Sequence, residues 1–353
     1  MNITVVLDWC TQREPYARMS QPTDLELIST CPESARIALD RYLDQVRETA
    51  RWCEQAGHSG LLVHSDHRLV DPWIVAQVIL QSTERLRPMV TVQPLYMHPY
   101  TVAKKVASMA RLFGRAPDLT LVAGSSKEDL LALDDATPHD LRYRRLAEYG
   151  DIIQQLLTRQ SPLVHEGDFY QLHMPATLGA LVESSRPRLF VAGSSEAGRT
   201  AAASLQARTV GHPLPDSEPS DCVRLGIVAR AEERFAWSVA LERFGTDPEG
   251  RLRHGLEMCW SDSSWHKALA SAGTEAGAEA ASLWLEPFQN RRAQCAYLVG
   301  DYRGVACEIV SLLERGTRTF ILDAPTTEED LEHTACVFQR AWSRFASPLA
   351  LTG

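Results

Sequence analysis

The sequence predicts an α/β protein built as a closed (β/α)8 TIM barrel. Short β-branched apolar runs alternate with amphipathic helical segments along most of the 353 residues. About eight such units in this length favour a closed ring of parallel strands over an open sheet. The first strand-like run is followed by LDWCTQREP, which lacks the Gly-rich phosphate loop that an open doubly wound sheet places there.

The units read in order as follows. ITVVLDW (3–9) is a first strand, and SARIALDRYLDQVRETARWCEQAG a helix that Gly57 stops. GLLVHS (60–65) is a second strand, and DPWIVAQVILQSTERL a helix with Asp71 as cap and Pro72 in its first turn. MVTVQPL and TVAKKVASMARLFG form the third strand and helix, closed by Gly114. DLTLVAG (118–124) and HDLRYRRLAEYGDIIQQLLT form the fourth pair. LVHEGDFYQL reads as a small hairpin turning at Glu166-Gly167. PRLFVAGSS is a fifth strand with EAGRTAAASLQ as its helix; VRLGIVARA and EERFAWSVALERF follow as strand and helix. YRGVACEIVSLLERG, RTFILDA and EEDLEHTACVFQRAWSRF give a helix, a last strand and a final helix.

One crossover is expected to be missing. The thirteen residues 211–223 are polar and Pro-rich, too few to hold the helix that normally joins parallel neighbours. A gap in the outer layer exposes barrel surface, so a partner contact is expected there, most simply a homodimer. The chain reads as one domain, 1–353. Its segment 246–290, with Trp260, Trp265 and Trp284, is a variable insertion. The small, acidic SAGTEAGAEAAS within it suits a mobile lid.

Composition narrows the function. Hydrophobic residues make up 44% and charged residues 23%, as in ordinary globular proteins. The formal charge of −9 and the absence of a basic run argue against a nucleic-acid partner. No apolar stretch approaches the roughly 20 residues needed to span a bilayer. MNITVVLDW has no basic n-region or cleavage site, so no signal peptide is expected. The eight cysteines are scattered singly, without zinc spacing, which suits reduced thiols in a cytoplasmic protein.

The chemistry-bearing stretch is LFVAGSSEAGRTAA (189–202), where a strand enters a helix through Gly193, Ser194 and Ser195. Gly193 removes side-chain bulk, two hydroxyls follow, and the free N–H groups of the helix start attract an anion such as phosphate. An ordinary Ser cap is the structural alternative. His64 and His67 end the second strand, where barrel chemistry sits. Asp66 between them suggests a metal, but no third ligand is suitably spaced, so no metal site is assigned. His98-Pro99 follows the third strand and either touches substrate or starts a helix. Asp8 and Trp9 end the first strand, with Trp9 flooring the pocket or packing.

These segments together resemble the luciferase-like superfamily of flavin-dependent barrels, nearest the alkanesulfonate monooxygenase group. The carrying residues are TVAKKVASMARLFGR (101–115), LVAGSSKEDL (121–130), RYRRLAEYGDIIQQLL (142–157) with VHEGDFYQL, PRLFVAGSSEAG (187–198) and YLVGDYRGVACEIVSLLERGTRTFILDAP (297–325). The resemblance covers most of 1–240 and again 291–345. It implies a two-component monooxygenase that uses FMN, reduced by a separate, transiently bound reductase, and dioxygen to oxygenate a small organic or natural-product substrate. It implies that Gly193, Ser194, Ser195 and Tyr143 hold the FMN phosphate. Ala123 and Gly124 would line the flavin edge, and Arg224 and Arg291 would lie near the reacting anion. Departures are equally specific. Gly226 stands where the group has a histidine, Pro325 where it has a tyrosine, and its cysteine near Leu69 is absent, which puts an alkanesulfonate substrate in doubt. Two further readings stay open: a deazaflavin-dependent oxidoreductase on the same barrel, and a flavin-binding homologue without catalysis.

Overall fold

A computed structural model describes residues 25–346, apart from 125–126, 161, 176–177, 215–217, 262, 264–266 and 271–282. ITVVLDW, Asp8, Trp9, Trp265 and the SAGTEAGAEAAS stretch lie outside the described residues.

Eight parallel strands close into a ring. In ring order they are β1 (Glu26–Thr30), β2 (Gly60–Val63), β3 (Arg87–Val92), β4 (Asp118–Val122), β7 (Leu189–Ala192), β8 (Arg208–Gly211), β9 (Cys222–Arg230) and β12 (Thr319–Leu322). Closure is made by β12, which pairs with β9 through Thr319↔Cys222 and with β1 through Glu26↔Thr319. Side chains alternate along each strand, so every second residue points into the ring. Ile28, Leu62, Met89, Phe190, Val210, Cys222 and Ile321 meet there and fill the barrel's middle.

The helical layer comprises α1 (Leu39–Gln55), α2 (Pro72–Ser82), α3 (Pro99–Phe113), α4 (Lys127–Ala132), α5 (His139–Thr158), α6 (Glu196–Ser204), α7 (Glu233–Phe244), α8 (Pro248–Trp260), α9 (Glu286–Gln289), α10 (Tyr302–Glu314) and α11 (Glu328–Ala346). Local chemistry sets several starts. The Asp71 carboxylate accepts from Trp73 N at 2.8 Å ahead of Pro72, and Asp301 accepts from Gly304 N at 2.6 Å. Gly114 ends α3 at φ 71°, a left-handed conformation glycine adopts without a β-carbon clash. A hairpin, β5 (Leu163–Glu166) with β6 (Gln171–Met174), lies outside the ring, its turn closed by Gly167 N donating to Tyr170 O at 2.9 Å.

The strands differ from the sequence reading in three places. The ring's first strand among the described residues is Glu26–Thr30, where the sequence patterning predicts no element. RTVG (208–211) is a strand of the ring that sequence patterning missed, because only Val210 of the four is buried. YLVGD forms β11 (Tyr297–Asp301), which pairs with the upper half of β9 from Gly226 to Arg230 and carries the short β10 (Leu283–Trp284) on its other edge. The described residues between β8 and β9 carry no helix. Instead the Ser220 hydroxyl donates to Thr209 O at 2.9 Å, folding the connection back on its own strand.

The two ends of the barrel are chemically opposite. At the strands' N-terminal ends Asp118, with a side chain 0% exposed, receives Arg188 Nη2 at 2.5 Å and Arg87 Nη2 at 3.2 Å. Glu26 receives both Arg188 and Arg208, and the network plugs that end. At the C-terminal ends the ring opens into a cavity.

Candidate active site

The cavity measures about 630 Å³, the size of a cofactor pocket. Its wall is made by strand ends and by the loops that follow them. Gly193 and Tyr143 contribute one side, Ala123 and Gly124 the next, and His64 and Arg224 the floor. The segment after β9 supplies the rim through Asp247, Arg253, Asn290 and Arg291.

The β7–α6 turn is shaped by a tyrosine. A β-carbon at Gly193 would lie 2.1 Å from Tyr143 Oη, so only glycine allows the ring to seat there. The phenol donates a long hydrogen bond to Ala192 O at 3.4 Å and lies within hydrogen-bonding reach of Ser195. Burial raises its pKa, so it stays a neutral donor. Ser195 is the N-cap of α6 and accepts from Gly198 N at 3.2 Å, while Ser194 is exposed beside it. Tyr143 and Gly193 reach the cavity wall, whereas Ser194 and Ser195 are not among its lining residues and stand at the turn beside it. Gly124, at φ 98°, continues that wall where a β-carbon would lie 2.9 Å from Leu130.

Arg224 is 8% exposed and bonds across the barrel to His64 Nε2 at 3.0 Å. Burial, with the adjacent guanidinium, pushes the His64 pKa down to about 3 against the weaker pull of Asp66. His64 is therefore neutral, and its Nε2 accepts from Arg224. Among the described residues Arg224 forms no ion pair, and its Nε has no hydrogen-bond partner. Among the described residues, no acidic side chain offsets the charge of this buried guanidinium.

The rim arginines differ. Arg291, in the left-handed region at φ 62°, pairs with Glu257 at 2.7 Å, and its carbonyl accepts from Arg36 at 2.9 Å. Arg68 pairs with Asp66 and Arg253 with Glu249.

The structure does not bring every expected residue onto the wall. His67 is 60% exposed and pairs with Asp129 at 3.2 Å. His98 caps α3, accepting from Tyr100 N at 3.2 Å, and stands edge-on to Tyr170. No group of three potential metal ligands gathers among the described residues. Sequence reasoning also missed several lining residues. Thr91 and Thr120 are register partners on β3 and β4, and His212 follows β8. The signal for the threonines was available as alternation along the strands; His212 depended on recognising β8.

The fold and the site define a barrel enzyme with a cofactor-sized cavity at the strands' C-terminal ends. The family model described as luciferase-like monooxygenase matches residues 28–318, and the chain belongs to that family. It is therefore an enzyme of the oxidoreductase class. A curated relative, 4-(γ-L-glutamylamino)butanoyl-[BtrI acyl-carrier protein] monooxygenase BtrO of Niallia circulans, is 28% identical over 323 residues, spanning 87% of this chain and 93% of that protein. Among solved structures, the EDTA monooxygenase of Chelativorans sp. BNC1 aligns with a TM-score of 0.69 at 16% identity, over 89% of this chain and 93% of that one. The oxygenating constituent of 3,6-diketocamphane monooxygenase of Pseudomonas putida, in complex with FMN, gives 0.64 at 14% identity, over 92% and 98%. The coenzyme F420-dependent tetrahydromethanopterin reductase of Methanopyrus kandleri gives 0.58 at 14% identity, over 91% and 99%. Among the described residues no helix is long and apolar enough to cross a membrane.

Proposed function

We propose that the chain is the oxygenase component of a two-component, FMN-dependent monooxygenase of the cytoplasm. The observation that carries this is the β7–α6 turn, where Gly193, Ser194, Ser195 and Tyr143 offer hydroxyls and a helix start beside a cavity with Arg224 on its floor. The residues present fit FMN. Its phosphate suits the helix start, and its ring system suits the low wall of Ala123 and Gly124. When bound, reduced FMN supplies the electrons that activate dioxygen. The protein's share is to bind and orient the ring, exclude water, and place Arg224 where negative charge develops. His64 keeps that guanidinium aimed across the barrel, and Arg291 guards the mouth.

A separate flavin reductase would deliver the reduced cofactor by transient contact. The connection between β8 and β9, exposed at Glu218, Pro219 and Asp221, is the proposed homodimer contact. The likeness to an enzyme named for an acyl group on a carrier protein extends the substrate class to carrier-tethered acyl chains as well as free small molecules.

The test is turnover with reduced FMN, labelled dioxygen and a panel of free and carrier-bound acyl substrates, read as label incorporation. Titration with FMN and with the deazaflavin coenzyme, each oxidised and reduced, runs beside it. Tighter binding of the deazaflavin, or no binding of either, overturns the reading.

A further inference from the structure

We propose that Tyr297 is a latch on Asp323, holding that carboxylate away from Arg224 so that the guanidinium stays available to an anionic group of a bound reactant. Tyr297 and Asp323 are positioning residues in this scheme, which rests on the reading that Arg224 faces the reactants.

Arg224 lies on β9, with Ile321 of β12 as its register partner and Leu322 opposite Leu225. Alternation puts Asp323 on the same inward face as Ile321, one rung above Arg224 on the adjacent strand. Two residues of strand advance about 7 Å and neighbouring strands lie about 5 Å apart, a span an arginine side chain covers. Opposite charges so placed, one buried and one half-buried, attract more than they would in open water. They nonetheless stay apart. Arg224 turns to His64 Nε2 at 3.0 Å, and Asp323 Oδ2 instead accepts the Tyr297 hydroxyl at 2.5 Å.

The two groups also face different spaces. Arg224 lines the 630 Å³ cavity, whereas Tyr297 and Asp323 line a second, smaller pocket of about 30 Å³. Cys295, fully buried, lies within hydrogen-bonding reach of Arg224. Burial and the neighbouring carboxylate push the Tyr297 pKa well up, so the phenol keeps its proton and remains a donor. Gly226 makes the arrangement possible, since a β-carbon there would lie 2.3 Å from Tyr297 Cζ.

The experiment titrates butanoate, with butanamide as the uncharged control, into the full chain and its Asp323→Asn, Tyr297→Phe and doubly substituted variants. Asp323→Asn keeps an acceptor for the phenol but removes the opposing charge, so butanoate should bind about fivefold tighter. Tyr297→Phe frees the carboxylate to turn onto Arg224, so butanoate should bind about fivefold weaker. The double variant should match Asp323→Asn, with butanamide changing less than about twofold throughout. A crystal structure of Tyr297→Phe should show Asp323 within about 4 Å of Arg224 and the His64 contact broken. The latch is overturned if Asp323 keeps its place in that structure, or if butanoate and butanamide shift alike. If Tyr297→Phe does not fold, Asp323→Asn decides alone, and unchanged butanoate affinity overturns the proposal. If the wild-type chain and Asp323→Asn both ignore butanoate while Asp323 swings onto Arg224 in Tyr297→Phe, the latch stands and the anion-seat role of Arg224 falls.

Discussion

The Tyr297 ring occupies the space that a side chain at Gly226 would fill. A β-carbon at 226 would lie 2.3 Å from Cζ and 2.4 Å from both Cε atoms. The two residues are register partners on β11 and β9, so the contact is built into the sheet. The space beside Gly226 is thus filled by a ring supplied from the neighbouring strand. Gly226→Ala should therefore cost about 1–3 kcal/mol by overpacking. Urea denaturation measures this, and Gly226→Ala/Tyr297→Leu should recover much of the loss.

Flavin binding should depend on the charge at the β7–α6 turn. Ser194→Asp/Ser195→Asp puts carboxylates where the nucleotide phosphate is proposed to dock, and like charges repel. Flavin affinity by fluorescence titration should fall at least about a hundredfold, nearly 3 kcal/mol. Ser195→Ala is milder: the lost cap at Gly198 N should lower stability by about 1 kcal/mol. Normal flavin affinity in the double Asp variant would move the phosphate elsewhere.

Arg224→Ala should lower turnover far more than flavin affinity, because the guanidinium sits on the cavity floor, away from the β7–α6 turn. Arg224→Lys should recover only part of the rate, since an ammonium lacks the planar fork that reaches His64 and the cavity together. Steady-state kinetics beside flavin titration separates the two effects.

Acid should destabilise the fold through His58. Its ring is 6% exposed, Nδ1 lies 2.9 Å from Ser29 Oγ, and burial lowers its pKa from 6.5 to about 4. Between those values the unfolded chain binds the proton and the folded chain does not. Stability is thus complete above about pH 6.5 and is lost as pH falls toward 4. At pH 5 the loss from this group is about 2 kcal/mol. Denaturant midpoints at pH 7 and pH 5 measure it, and His58→Gln should flatten that part of the profile.

Much of the architecture was legible because it is written in local patterns. The helices of 72–82, 99–113 and 139–158 carry periodic apolar faces and punctuation by Asp71-Pro72, His98-Pro99 and Gly114. The turn through Gly193 was legible as glycine and serines between a strand and a helix. What was illegible rests on partners distant in sequence. Glu26–Thr30 carries only a short apolar run, and its place comes from pairing β12 nearly three hundred residues away. Arg208–Gly211 shows one buried apolar residue and is a strand because β7 and β9 flank it.

The alternation of strand and helix, the closed barrel, and the residue types at the turn proposed for a phosphate can all be read from residue order alone. Propensity, periodicity and capping act over a few residues and can be read one segment at a time. Folding in three dimensions is what brings Arg224 to His64 across the ring, sets Tyr297 on Asp323, and gives the Tyr297 ring its room beside Gly226. Those relations join side chains from different strands, and ring closure sets their distances.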